Sequence, residues 1–133
     1  MSTASWRELT PFQTGYVSAA LHQFEESRAW QLWTGEATGP HLDDLGAGTL
    51  ADMLRDADAF YGATRFLIPD HVLGEAARAG RAFWYGRNDV EGRGFDDGTW
   101  DPSTTVLTIA AQATGPYRLG LNDTGSKLVR KTA

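Results

Sequence analysis

Apolar residues at helical spacing, directly behind a helix-start signal, restrict the fold of this chain more than any other feature. Thr10 can cap a helix, Pro11 suits the first helical position, and Gln13 stands where a capping box places its reciprocal acceptor. The apolar stripe behind them consists of Phe12, Tyr16, Val17, Ala20, Leu21 and Phe24. This spacing predicts an amphipathic helix over residues 11–25.

Two further helices are predicted between residues 49 and 80. Thr49 is the predicted cap of the second helix, and Pro69 ends it. Its apolar side consists of Leu50, Met53, Leu54, Ala57, Phe60 and Tyr61. Asp70 is predicted to cap a short third helix that continues to about Ala79, and Gly80 is predicted to end it.

An aromatic and glycine-rich block follows the third predicted helix. Phe83, Trp84 and Tyr85 make residues 82–86 a strand candidate, and residues 88–98 are rich in Gly and Asp. The block therefore predicts a short β ribbon, with its glycines in turns and its aromatic side chains packed on the helices.

The C-terminal third predicts one helix and one hairpin. Residues 103–113 carry an apolar helical face, although the β-branched residues of this segment favour a strand nearly as well. Residues 117–121 and 127–129 flank the sequence Asn-Asp-Thr-Gly at 122–125, which is typical of a β-hairpin turn.

Length and composition fit one small α+β domain. The chain has 133 residues, and no internal repeat divides it. The predicted order is three N-terminal helices, the aromatic and glycine-rich ribbon, one further helix and a C-terminal hairpin. Residues 1–133 are predicted to form a single domain, with flexible ends at residues 1–9 and 130–133.

Charge and composition disfavour several classes of protein. The net charge of −5 opposes general nucleic-acid binding, which needs a cationic surface, and also opposes attraction to an anionic membrane. No cysteine is present, so disulfides, thiolate metal sites and a cysteine nucleophile are excluded. No apolar run approaches the ~20 residues that span a bilayer, and the N-terminus does not have the pattern of a secretory signal. The expected location is the cytoplasm of a bacterial host.

The central block resembles the hallmark of a family of small, uncharacterised bacteriophage and prophage proteins. That hallmark is close to F-W-L-T-R-N-G-H-G-A-G-F-W-D, and residues 83–97 here read F-W-Y-G-R-N-D-V-E-G-R-G-F-D-D. Upstream, the family has an I-D-D-I segment before a T-L helix; residues 42–45 read L-D-D-L and are followed by Thr49-Leu50. Downstream, its L-T-x-A-A helix and D-x-G-K turn are similar to residues 107–111 and 123–127.

The resemblance implies a genomic context more than a reaction. It favours a helix for residues 103–113, and it implies a phage or prophage origin. The family's motif histidine falls on Val90 or Glu91 in this chain, and the second aromatic of its F-W pair is replaced by Asp96. If the family's histidine is catalytic, this chain cannot use it.

The central block is also the best candidate for a binding site. Arg87 or Arg93 can hold an anion, Asn88 offers directional hydrogen bonds, and Trp84 or Phe95 can form a stacking wall. The alternative is structural, because aromatic residues beside glycine-rich turns usually pack in the core. Both interpretations stay open at the level of the sequence.

Acidic residues in and after the same block are weak candidates for a metal site. Asp96, Asp97 and Asp101, with Asp89 and Glu91 just before them, can offer oxygen ligands to a hard cation such as Ca²⁺ or Mg²⁺. Their spacing does not match an EF-hand, and solvated turn acids are the commoner explanation. His22 lies one helical turn from Glu25 and Glu26 without a metal-binding spacing, and His41 and His71 stand alone.

Three functions follow from these observations, in order of preference. The first is a non-enzymatic phage or prophage accessory protein that binds a protein, either itself or a host factor, with interference in host defence as one conceivable role. The second is a pocket protein for a small anionic or nucleotide-like ligand. The third is a small metal-assisted enzyme that uses the acidic loop. No catalytic residue and no cofactor is predicted.

Overall fold

The computed structural model describes residues 5–27, 41–69 and 74–131, and it has the predicted α+β class. Four α-helices and one two-stranded antiparallel hairpin form a small single domain across these ranges. Short 3₁₀ turns occur at Trp6–Glu8, Leu42–Asp44 and Arg65–Leu67. The main elements are α1 (Pro11–Glu25), α2 (Ala47–Thr64), α3 (Glu75–Arg87), α4 (Thr104–Thr114), β1 (Arg118–Leu121) and β2 (Leu128–Lys131).

Helix α1 has the predicted boundaries and the predicted capping box. The backbone N–H of Gln13 donates to Thr10 Oγ1 at 3.2 Å, and the N–H of Thr10 donates to Gln13 Oε1 at 2.9 Å. Gln13 Nε2 also donates to Asp58 Oδ1 at 2.8 Å. Gln13 therefore ties the start of α1 to α2 and also takes part in the capping box of α1.

Helix α2 begins before its predicted cap. Gly46 occupies the N-cap position, and Thr49 lies buried in the first turn, where its Oγ1 accepts the backbone N–H of Arg130 at 3.3 Å. The N–H of Gly46 donates to the carbonyl of Leu128 at 2.8 Å. The hairpin thus forms two hydrogen bonds with the start of α2, and Thr49 holds the hairpin instead of capping the helix.

The predicted helix end at Gly80 and the predicted strand at residues 82–86 are both wrong, because α3 passes through both. A Cβ at Gly80 would overlap the carbonyl oxygen of Phe12, and one at Gly15 would overlap the carbonyl oxygen of Ala77. These two glycines let α1 and α3 cross closely, and α3 is the main packing partner of α1. The β ribbon is also wrong: residues 88–103 form turns, and within the described ranges the only strands are β1 and β2. The predicted helix cap at Asp70 lies outside the described residues.

The predicted C-terminal helix and hairpin are confirmed. Helix α4 covers Thr104–Thr114, which decides the helix-or-strand alternative in favour of the helix. In the hairpin, Arg118 pairs with Lys131 and Leu121 pairs with Leu128. Asn122 closes the loop, because its Oδ1 accepts the backbone N–H of Ser126 at 2.9 Å. Arg130 and Lys131, which the sequence assigns to a flexible end, belong to β2.

Stacked aromatic rings form the centre of the core, between the helices. The rings of Phe60 on α2 and Phe83 on α3 stack at 4.0 Å between centroids, and Tyr16 on α1 stacks on Phe83 at 5.0 Å. Phe95 and Trp100 from the turn region complete this cluster from the other side. In the part of the chain that the structure describes, no helix is both long and apolar enough to cross a bilayer.

Candidate functional site

Arg87, the first predicted anion-binding residue, is a core residue. Its side chain is only 1% exposed. Its Nη1 donates to Tyr16 Oη at 2.7 Å and to Asp56 Oδ2 at 2.9 Å, and its Nε donates to the carbonyl of Gly115 at 2.8 Å. Its guanidinium carbon also lies 5.4 Å from the ring centroid of Phe83. Arg87 therefore joins α1, α2, α3 and the turn after α4, and it is closed to an external ligand.

Burial also dominates the ionisation of Tyr16 in this network. It raises the pKa of the phenol well above its ordinary value near 10, although the adjacent Arg87 favours the phenolate. Tyr16 thus stays neutral as a hydrogen-bond partner of Arg87. Because the guanidinium has a carboxylate, a hydroxyl and a carbonyl as acceptors, its burial is compensated.

Three more of the predicted binding residues also have structural contacts. Asn88 Nδ2 donates to the carbonyl of Trp84 at 2.9 Å, and Asn88 Oδ1 accepts the backbone N–H of Tyr117 at 2.8 Å, so Asn88 fastens the end of α3 to the segment before β1. Trp84 is buried and donates from Nε1 to Gln23 Oε1 at 2.8 Å. Phe95 is buried against Phe60 and Trp100.

The five predicted residues do not converge on one concavity. Trp84 and Asn88 line a cavity of about 370 Å³ beside Tyr117, whereas Arg93 lines a different cavity. Of the two predicted arginines, Arg87 is buried, whereas the side chain of Arg93 is exposed and lines a cavity.

The cavity beside Arg93 is basic. Its volume is about 270 Å³, and Arg78 and Arg81 of α3 line it together with Arg93. Trp100 is part of the same wall, and its buried indole Nε1–H has no hydrogen-bond partner. One carboxylate, that of Asp97, also lies in this wall. We use the name arginine cluster for Arg78, Arg81 and Arg93.

A second concavity adjoins the first, because it shares Arg78 and Arg81. It is a groove of about 570 Å³ between α1 and α3, with small residues along α1 and with His22 and Tyr85 in its wall. The guanidinium carbons of Arg81 and Arg93 lie 5.9 Å and 5.2 Å from the ring centroid of Tyr85. The two cavities thus share Arg78 and Arg81, and the ring of Tyr85 lies beside Arg81 and Arg93.

Tyr85 itself is fully buried, and its hydroxyl makes no hydrogen bond of ordinary distance and angle. Burial raises the pKa of this phenol, and the nearby Arg93 and Arg81 oppose that rise only in part. The hydroxyl therefore stays protonated near neutral pH and can donate a hydrogen bond.

Sequence reasoning missed Arg78, Arg81, Tyr85 and Trp100. The spacing of Arg78 and Arg81 could have indicated two arginines on one face of a helix, because residues three apart lie on the same face. The predicted break at Gly80 separated the two arginines into different elements and concealed that signal.

The acidic residues of the turn region act as local hydrogen-bond acceptors. Asp96 Oδ2 accepts the backbone N–H of Gly92 at 3.0 Å, and Asp97 Oδ1 accepts that of Thr99 at 2.9 Å. Asp101 Oδ1 accepts the hydroxyl of Thr104 at 2.9 Å, at the start of α4. Across residues 5–27, 41–69 and 74–131, no three histidine, aspartate or glutamate side chains are grouped so as to hold a metal ion.

The two described histidines, His22 and His41, do not form a catalytic constellation with the acids. His22 Nδ1 lies 3.9 Å from Glu25 Oε2, and both side chains are well exposed. His41 precedes the Leu42–Asp44 turn, and its backbone N–H donates to Asp44 Oδ2 at 2.7 Å. His71 lies outside the described residues.

No protein-family model, no curated protein and no solved structure matches this chain. The resemblance of the central block to the phage and prophage family stays a prediction from its motif.

Proposed function

We propose that this protein binds a small anion at the arginine cluster. The observation that carries this proposal is the position of Arg78 and Arg81 in the walls of two adjoining cavities, with Arg93 in the wall of the smaller one. One buried donor without a partner, Trp100 Nε1, belongs to a residue in the wall of the cavity that Arg93 lines. Guanidinium groups hold carboxylates and phosphates through paired hydrogen bonds, so an oxyanion suits this wall.

Electrostatics support the same proposal. Three guanidinium groups on one face repel one another, and this repulsion is offset when an anion lies between them. The chain as a whole carries a net charge of −5, so this face departs from the general acidity of the protein. A cationic concavity in an acidic protein selects small anions that can enter it, and the negative remainder of the surface repels large polyanions.

This proposal is the second of the three functions predicted from the sequence, a pocket for a small anionic ligand, but its binding residues differ. Arg93 is retained. Arg78 and Arg81 replace Arg87 and Asn88, because those two side chains already hold the core together. The stacking residue is Tyr85, which lies beside two guanidinium groups, and not Trp84 or Phe95.

Isothermal titration calorimetry with succinate and with inorganic phosphate tests the proposal. We expect saturable binding to the wild type, and at least about tenfold weaker binding to the double variant Arg78→Ala/Arg81→Ala. The double variant Arg55→Ala/Arg65→Ala is the matched control, because it removes two positive charges from exposed positions outside both cavities. Equal loss in both double variants, or no heat with either anion for any protein, would refute the proposed site.

A second candidate function is that of a phage or prophage accessory protein which acts by binding a protein. The resemblance of the central block supports the context. Three apolar side chains on the described surface support the binding, since Phe66 is 79%, Ile109 61% and Val106 52% exposed. Light scattering after size-exclusion chromatography and a pulldown from host lysate test it. A strict monomer that retains nothing counts against this function.

A further inference from the structure

One carboxylate already occupies part of the arginine cluster. Glu26, directly after α1, faces Arg93 in a paired arrangement, with 3.0 Å between Nη1 and Oε1 and 3.3 Å between Nη2 and Oε2. The two parallel hydrogen bonds match the planar fork of a guanidinium to the planar fork of a carboxylate. The Arg93 side chain therefore presents the geometry that a carboxylate ligand would use.

Other members of the same face also act on Glu26. The hydrogen bond from Arg93 is the main cause of a lowered pKa for this carboxyl, and the charges of Arg93, His22 and Arg81 act in the same direction. Glu26 thus lies in the field of Arg93 and Arg81, two members of the cluster, and is ionised at neutral pH.

The position of Glu26 is unfavourable for the helix that precedes it. The C-terminal end of a helix carries a partial negative charge, which disfavours a carboxylate there. Glu26 caps the C-terminus of α1, where a lysine or arginine would suit the helix dipole better. Its contact with Arg93 offsets this disadvantage.

We infer that Glu26 is an internal carboxylate ligand of the arginine cluster, and that the anion bound there is a carboxylate compound which displaces Glu26 from Arg93. This inference rests on the proposed anion-binding function and names both the class of ligand and the competitor built into the chain.

Displacement is feasible because the ion pair is exposed. The side chains of Arg93 and Glu26 are 41% and 44% exposed. Pairs of this kind add little to stability, since water and salt compete with them. When a ligand carboxylate replaces Glu26 on Arg93, the released side chain can enter solvent without unfolding α1.

Replacement of Glu26 by glutamine tests the competition. Glu26→Gln removes the competing charge, and we expect it to bind succinate about two- to fivefold more tightly than the wild type does. Glu25→Gln is the matched control, because it makes the same change of charge one residue earlier, on a side chain that contacts His22 and not Arg93. We expect Glu25→Gln to bind succinate as the wild type does. Thermal unfolding of each variant verifies that the fold is retained.

The outcomes separate this inference from the function on which it rests. Tighter binding by Glu26→Gln alone, lost again in Glu26→Gln/Arg93→Ala, supports the inference. Equal affinities of the wild type, Glu26→Gln and Glu25→Gln for succinate overturn the competition and leave anion binding in place. Tighter wild-type binding of phosphate than of succinate overturns the carboxylate assignment. No binding of either anion to any of these proteins overturns the function together with the inference.

Discussion

Arg87→Met is the substitution that probes the core network most directly. Methionine keeps the length and much of the apolar volume of the arginine stem, but it removes the hydrogen bonds to Tyr16, Asp56 and Gly115. Breaking a buried ion pair by removing one partner costs about 3–5 kcal/mol. The Asp56 side chain is 30% exposed, so water can solvate it again and the cost falls to the lower end of that range. We therefore expect a loss of about 3 kcal/mol in the free energy of unfolding.

Urea denaturation followed by tryptophan fluorescence measures this loss, because Trp84 and Trp100 are buried in the folded state. We expect an unchanged slope against urea and a melting temperature lower by about 10 °C. Arg55→Met is the control, since Arg55 pairs with Asp52 on the exposed side of α2 and should cost less than about 1 kcal/mol. An Arg87→Met variant that loses less than about 1 kcal/mol would refute the structural role assigned to Arg87.

Two further predictions concern the helix crossing and the buried phenol. Gly80→Ala should destabilise the fold by about 3 kcal/mol, because the new Cβ meets the backbone of Phe12. Gly62→Ala, which has open space around it, should stabilise α2 by about 0.5–1 kcal/mol. Equal stability of the two variants in urea would contradict the close crossing of α1 and α3. Above about pH 10, an unfolded tyrosine loses its proton while folded Tyr16 keeps it, so the free energy of unfolding should fall as the pH rises, and Tyr16→Phe should reduce that fall. Urea titrations at about pH 9, 10 and 11 measure the slope, and identical slopes for wild type and variant would exclude Tyr16 as the cause.

The error at α3 shows how a tertiary contact can reverse a local signal. Glycine is a helix breaker by propensity, and three consecutive aromatic residues favour a strand. Gly80 is nevertheless helical, because the absence of a side chain lets α3 approach the backbone of α1. Phe83, Trp84 and Tyr85 are all buried, since neighbouring segments cover α3 on several sides. The C-terminal half of α3, residues 82–87, is buried on every side and therefore lacks the one-sided pattern by which sequence analysis detects helices.

Only part of the candidate site could be predicted from the sequence. Arg93 lies in the turn region and is exposed, its role in anion binding stays a prediction, and its paired contact with Glu26 joins residues 67 positions apart. Arg87 lies six residues earlier and has the same side chain, yet it is buried under Tyr16, which is 71 positions away. Nothing local distinguishes these two arginines, because burial depends on which distant segments pack over each one.

The sequence by itself determined the α+β class, the start and end of α1 and the C-terminal hairpin. Each of these depends on periodicity, capping or turn chemistry that acts within a few residues along the chain. Only the tertiary structure decided that Gly80 is a crossing point, that Arg87 is a core residue, and that Arg81 and Arg93 lie beside Tyr85. These properties arise when segments far apart in sequence exclude water from one another, and no local pattern encodes which segments will meet.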